Sequence, residues 1–250
     1  MAESFKDLFS AQAADYQRYR PHYPDGLFKY LATLSKERSA VWDAGCGNGQ
    51  AAVALAPYFS KVFATDPSAN QLDQAITHPK VAYSQATAES SGLPEYSVNL
   101  VVVAQAFHWF KQEEFYREVR RVCEPGGALA IWCYELSSVD QEVDPVVMRL
   151  YQEILGAFWD PERRMVEEGY RHEKLPFNEL QPPPFDLTAD WDFHEFMGYL
   201  GTWSALQKYK KQHGKDPREI VESELREAWG DPHEKKEISW PLSLRVFQVA

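Results

Sequence analysis

The stretch Val41-Trp42-Asp43-Ala44-Gly45-Cys46-Gly47-Asn48-Gly49-Gln50 constrains the fold more than any other part of this sequence. A short apolar run, Ala40–Trp42, passes through an acid into three alternating glycines, and an alanine-rich helix pattern follows over Gln50–Tyr58. A strand that turns through glycines into a helix opens a βαβ unit, since such a turn lets backbone N–H groups and a helix N-terminus face a ligand. The alternation then repeats. Lys61–Thr65 and Val81–Gln85 read as strands, with Ser68 as the N-cap of a helix over Ala69–Ile76. Leu100–Ala104 is an uninterrupted β-branched run, as in a strand covered on both faces. Phe115, Val119 and Val122 mark one face of a helix that stops at Glu124-Pro125-Gly126-Gly127, and Ala128–Tyr134 forms a fifth strand. Short strands alternating with helices imply an α/β fold built on a doubly wound, mainly parallel sheet.

The flanks are less regular. Phe5, Leu8, Phe9, Ala13 and Tyr16 recur at helical spacing, and the two prolines of Tyr19-Arg20-Pro21-His22-Tyr23-Pro24 force an extended link. Val143, Val146, Val147, Leu150, Ile154, Leu155 and Phe158 predict one helix of about four turns. The proline-rich segment 175–185 is a loop that cannot join a central strand. Phe185–Trp191 reads as a sixth strand, Asp216 with Pro217 and Gly230 brackets a helix, and Ser239–Val249 is a terminal strand, antiparallel to its neighbour. One domain over residues 1–250 is expected, with an N-terminal helix and cap (1–25), a ligand-binding core (38–134), a lid or insertion (135–184) and the last strands and helices (185–250).

Composition narrows the partners. A net charge of -11 argues against nucleic acid and against an anionic membrane surface. No apolar run approaches the ~20 residues needed to cross a bilayer. The opening MAESFKDLFS does not read as a secretory signal. Three cysteines without CxxC spacing read as reduced and intracellular, with no metal site. A cytoplasmic protein is expected.

The glycine loop then selects a ligand. In open α/β sheets ligands sit beyond the carboxyl ends of the strands, where the strand order reverses. A dinucleotide loop normally runs Gly-x-Gly-x-x-Gly, whereas here the spacing is Gly45-x-Gly47-x-Gly49 with Asp43 at the strand end. A buried carboxylate there would repel a pyrophosphate and welcome an ammonium. Asp66, at the end of the second strand, is placed to accept hydrogen bonds from ribose hydroxyls. An amino acid joined to a nucleoside meets both demands, and S-adenosylmethionine is such a molecule.

Asp43-Ala44-Gly45-Cys46-Gly47-Asn48-Gly49 resembles the first motif of class I S-adenosylmethionine-dependent methyltransferases, and Asp66-Pro67 resembles their ribose-binding corner. Ala88-Glu89 is similar to the turn that meets the adenine edge in that family. Gln105-Ala106-Phe107-His108-Trp109 resembles the segment after strand four in its type 11 branch, which includes trans-aconitate methyltransferase-like enzymes. Tyr16 and Arg20-Pro21-His22-Tyr23-Pro24 match a leading motif of that branch. The resemblance covers residues 1 to about 134 well. Asn99 departs from it, standing where relatives usually carry an acid, at a position that shapes a turn.

The resemblance implies a Rossmann-like, seven-stranded sheet with a C-terminal helical lid, and S-adenosylmethionine as cofactor with S-adenosylhomocysteine as product. It implies cofactor contacts from Tyr16, Arg20, Asp43, Gly45, Cys46, Gly47, Asp66, Pro67, Ala88, Glu89, Gln105 and Ala106. It places His108 and Trp109 at a small-molecule acceptor, possible substrates including a carboxylate, with His108 as the candidate general base. Plainer readings stand beside these. Asp43 braces a loop, Asp66 caps a helix, Tyr16 completes an apolar face, Arg20 is a surface charge, and His108 is a structural imidazole. Basic lid residues such as Arg163, Arg164 or Arg171 are candidate substrate anchors. The alternatives are an NAD-dependent dehydrogenase and a non-catalytic cofactor-binding protein.

Overall fold

The computed structural model describes residues 18–249, so Tyr16 and the expected N-terminal helix lie outside the described residues. The main sheet has seven strands: β1 (Ala40–Ala44), β2 (Lys61–Asp66), β3 (Val81–Gln85), β4 (Val98–Ala104), β5 (Cys123–Tyr134), β6 (Asn178–Leu180) and, late in the chain, Leu242–Gln248. Two further strands, β7 (Leu187–Trp191) and β8 (Lys236–Trp240), pair antiparallel in a separate sheet, which makes Leu242–Gln248 β9. The main sheet runs β3-β2-β1-β4-β5-β9-β6, parallel from β3 to β5, with β9 antiparallel to both of its neighbours. The α/β, mainly parallel seven-stranded sheet expected from the sequence is therefore present.

Alternation along each central strand builds two layers of core. Trp42, Val101, Val103, Leu129 and Ile131 face one side, where Phe115, Val119 and Val122 of the helix Gln112–Val122 cover them. Val41, Leu100, Val102, Ala128, Ala130 and Trp132 face the other, against the helices Asp25–Leu31 and Gln50–Leu55. A strand sandwiched this way has no solvent face, which is why β4 reads as continuous valine and leucine. A third cluster forms a cap from the helices Phe193–Gly201, Ser204–His213 and Arg218–Trp229 with the β7–β8 ribbon and the segment 143–155. Trp203, Trp229 and Trp240 are buried in it.

Four sequence expectations change in detail. The expected sixth strand forms over Leu187–Trp191 but belongs to the small sheet. The sixth strand of the main sheet is Asn178–Leu180, inside the segment expected to be a loop. It is an edge strand, so the prolines at 182–184 interrupt no ladder. The terminal strand is broken at Pro241 into β8 and β9, so one run of chain serves both sheets. The predicted four-turn helix is an α-helix over Val143–Met148 that widens to a π-helix over Arg149–Ile154, closed by Leu155 N–H on the Leu150 carbonyl at 3.0 Å. The wider turn lets Leu150, Tyr151 and Leu155 all bury.

Candidate active site

Because β1 to β4 are parallel, their carboxyl ends form one rim. Register sets Asp43 beside Ala64 and Val102, and Asp66 beside Gln85. The chain winds outward from β1 to β3 and then returns to β4, so the rim between β1 and β4 is the point where strand order reverses.

The glycine loop is tied down from below. The Thr65 carbonyl accepts from Gly45 N–H at 2.8 Å and from Cys46 N–H at 3.0 Å, curling the loop over the end of β2. Gly45 is left-handed (φ 70°), and a Cβ there would lie 2.8 Å from that of Ala106, so only glycine lets the loops after β1 and β4 meet. Gly47 is also left-handed, but the nearest atom to its imagined Cβ is Gln71 Oε1 at 3.8 Å. Its face is open.

Two carboxylates flank this opening. Asp43 is fully buried, and neither of its oxygens has a hydrogen-bond partner among the described residues beyond a weak influence from Ala52 N–H. Burial, with the neighbouring charge of Asp66, pushes its pKa up to about 7. Asp66 is braced: Oδ2 accepts from Gly47 N–H and Oδ1 from Ser68 N–H, both at 2.9 Å. Ser68 caps the following helix by accepting from Gln71 N–H at 3.3 Å, so capping does not depend on Asp66. Cys46 is buried beneath the loop, and the Pro67 carbonyl accepts from the Gln85 amide at 2.9 Å.

Beyond β4, Gln105 takes a left-handed conformation (φ 59°) and spends its side chain on Tyr134, accepting from its N–H at 2.8 Å and donating to its carbonyl at 3.2 Å. Ala106 is buried against Gly45. Phe107–Trp109 is a single 3-10 turn, with Phe107 in the core and His108 and Trp109 half-buried. His108 Nδ1 lies 2.8 Å from the hydroxyl of Tyr170. Burial, and then the charge of Arg163, hold the His108 imidazole down at about 3. It is therefore neutral near pH 7. Ala88 is buried and Glu89 accepts from Lys111 N–H at 2.8 Å, joining the turn after β3 to this segment.

Arg20 lies on the cap side of the rim. It donates to the Tyr134 hydroxyl at 2.7 Å and the Thr202 carbonyl at 3.2 Å, with its guanidinium against the Tyr199 ring. The next residues reach the loop helix, where the Gln50 amide donates to the Pro21 carbonyl at 3.1 Å. The segment 19–24 thus straps the cap to the glycine loop. Asn99, the departure noted in the sequence, accepts from Ser39 and Ala40 N–H and donates to Glu124, and an ionised acid there would lose that donor and repel the Glu124 carboxylate. Tyr170 escaped sequence reasoning. Its only signal is an aromatic directly after Gly169 in a segment of weak periodicity.

This arrangement is an open glycine loop at the carboxyl rim of a parallel sheet, flanked by the two carboxylates of Asp43 and Asp66. Residues 42–131 match the methyltransferase domain family model. A Dictyostelium discoideum protein named as a methyltransferase is 33% identical over 229 residues, covering 90% of this chain and 87% of its own. A solved structure from Anaeromyxobacter dehalogenans, named as a type II methyltransferase, is 44% identical with a TM-score of 0.86, covering 92% of this chain and 98% of its own. A Saccharomyces cerevisiae protein named as an S-adenosylmethionine-dependent methyltransferase is 30% identical over 181 residues, covering 66% of this chain and 61% of its own. The chain belongs to the methyltransferase domain family, and it is an enzyme of that class.

Proposed function

We propose that this chain transfers a methyl group from S-adenosylmethionine to a small carboxylate-bearing molecule, in the manner of the trans-aconitate-like branch, and releases S-adenosylhomocysteine. The observation that carries the reading is Asp43: a fully buried carboxylate whose oxygens have no side-chain partner among the described residues, beside a glycine whose face is open. An unpaired buried charge is costly, and an ammonium group seated there would offset that cost. Asp43 would hold the cofactor's amino group, with Gly45, Cys46 and Gly47 forming the cradle. Asp66 and Pro67 would hold the ribose, and Ala88 and Glu89 the adenine edge. Gln105 and Ala106 would border the sulfur end, with Tyr16 and Arg20 closing over the methionine part.

When bound, the cofactor would supply a methyl group on a positively charged sulfur, and a carboxylate oxygen bonding to the methyl carbon would displace the neutral thioether and leave a methyl ester. No proton moves in that step, which suits a neutral His108 better than one acting as general base. The protein's own work is to align the acceptor and exclude water beneath the cap. Three buried free cysteines support a reducing, cytoplasmic setting. No helix among the described residues is long and apolar enough to cross a membrane. Two acids at the loop weigh against a pyrophosphate, so the dinucleotide reading gains no support.

Isothermal titration of the purified chain with S-adenosylhomocysteine and, separately, with NAD tests the reading. Saturable binding of the former alone, weakened at least tenfold by Asp43→Asn, is the expected result. Binding of NAD in its place would overturn it.

A further inference from the structure

A second polar group near the rim is buried without a partner. Trp132 of β5 is fully buried, and its indole Nε1–H has no hydrogen-bond partner among the described residues. Three other buried tryptophans show the contrast. Trp42 donates to Thr65 Oγ1 at 2.9 Å, Trp229 to the Glu234 carbonyl at 3.1 Å and Trp240 to the Tyr199 hydroxyl at 2.9 Å. A buried donor left unpaired is costly and rare in folded proteins, so a missing acceptor is the natural account of it.

Register places Trp132 on the sheet face that carries Asp43. Asp43 shares a row with Val102 on β4 and Ala130 on β5, and Trp132 lies two residues beyond Ala130, toward the carboxyl rim. Side chains two apart on a strand share a face, and Val41, Ala130 and Trp132 all belong to the layer under the helices Asp25–Leu31 and Gln50–Leu55. With strands ~4.8 Å apart and a rise of ~3.3 Å per residue, the Cα atoms of Asp43 and Trp132 stand about 12 Å apart. The side chain between them at the rim is the methyl of Ala104, which pairs with Trp132 and is only half-buried.

The strap crosses this gap. The Pro21 carbonyl accepts from Gln50 beside the glycine loop, and the Tyr23 ring stands perpendicular to the Trp132 indole, 5.6 Å between centroids. One side of the gap thus offers an acceptor-only carboxylate and the other a donor-only N–H. An amino-acid end, with an ammonium and a carboxylate on one carbon, is the complement of that pair. A span of about 12 Å accommodates it with a hydrogen bond of ~2.9 Å at either end and the reach of the two side chains.

We propose that the Trp132 indole N–H binds the carboxylate at the methionine end of the cofactor while Asp43 binds its ammonium. The proposal rests on the methyl-transfer reading above, since it names a further contact for the same cofactor.

Spectra of the full chain labelled with ¹⁵N-tryptophan follow the Trp132 indole N–H, assigned through its own side-chain-to-backbone correlations. S-adenosylhomocysteine should move that proton downfield saturably, as a hydrogen bond to a carboxylate does. The analogue lacking only the carboxylate should bind through its amine and adenosine and leave the indole proton near its ligand-free position. Trp132→Phe keeps an aromatic ring against Tyr23 and Phe28 but removes the donor. Calorimetric titration should find its affinity for S-adenosylhomocysteine about tenfold lower, and its affinity for the analogue within about twofold of wild type. An indole proton moved equally by both ligands would sink the proposal, as would a variant that weakens both alike. Should Trp132→Phe fail to fold, the two wild-type titrations still decide. Binding of neither ligand removes the methyl-transfer reading and this proposal with it, whereas S-adenosylhomocysteine bound with an unmoved indole overturns this proposal alone.

Discussion

Burial of Asp43 makes the stability of the folded protein depend on pH. In the unfolded chain its carboxyl titrates near 3.8, and in the folded protein near 7. Between those values the folded state holds a proton that the unfolded chain has released. Stability therefore falls as pH rises through that window, by on the order of 4 kcal/mol in full. Asp43→Asn removes the titration, so the ligand-free variant should be more stable than the wild type at pH ~8, by up to that amount, and melt at a higher temperature, with the gap closing toward pH ~4. A cationic ligand binds the ionised form, so wild-type affinity for S-adenosylmethionine should climb from pH ~6 to ~8 while that of the variant stays low and flat. Scanning fluorimetry and calorimetric titration across pH check both. Asp43 was legible in the sequence from its place before the glycines. Its lack of a partner was not, because that depends on what β2 and β4 leave uncovered on either side of β1.

At the scale of elements, the segment after β4 shows how one side chain sets a loop. Gln105 extends the ladder beyond the strand with its amide, holding the end of β5 so that Ala106 meets Gly45. Gln105→Ala loses both bonds yet keeps a left-handed backbone that costs a β-carbon about 1–2 kcal/mol. Gln105→Gly loses the same bonds but relieves that strain. Both variants should be less stable than the wild type in urea, the alanine one by about 2–3 kcal/mol and the glycine one by about 1 kcal/mol less. The sequence pattern located this segment through the strand preceding it, but not the two bonds to Tyr134, whose backbone lies 29 residues further along the chain. The helix over 143–158 makes a similar point: its apolar spacing predicts burial, while the switch to a π turn answers to the cap it packs against.

For the whole molecule, Arg245 on β9 joins parts far apart in the chain. It donates to Glu179 of the edge strand at 2.8 and 2.9 Å, and to the carbonyls of Tyr170 and Glu173 at 2.6 and 2.7 Å. Arg245→Ala should cost about 2–4 kcal/mol, and amide exchange should rise first over residues 170–180, where the three partners lie. Arg245→Lys should recover less than half of the loss, since an ammonium cannot span them as a planar guanidinium does. Denaturant melts and exchange mass spectrometry measure both. The strap from Tyr19 to Pro24 has the same character, linking Thr202 of the cap to Gln50 of the loop helix.

What local sequence determined here is everything that repeats at short range: the βαβ alternation, the glycine turn, the acids at the ends of β1 and β2, and the apolar strands that demand cover on both faces. These follow from backbone sterics and burial within a few residues. Tertiary structure alone decided which edge β6 occupies, how Pro241 divides one strand between two sheets, that Tyr170 meets His108, and that no carboxylate among the described residues lies within ion-pair distance of Arg163. Those outcomes join positions tens of residues apart, and no local spacing encodes a contact whose two halves are brought together only by the packed core.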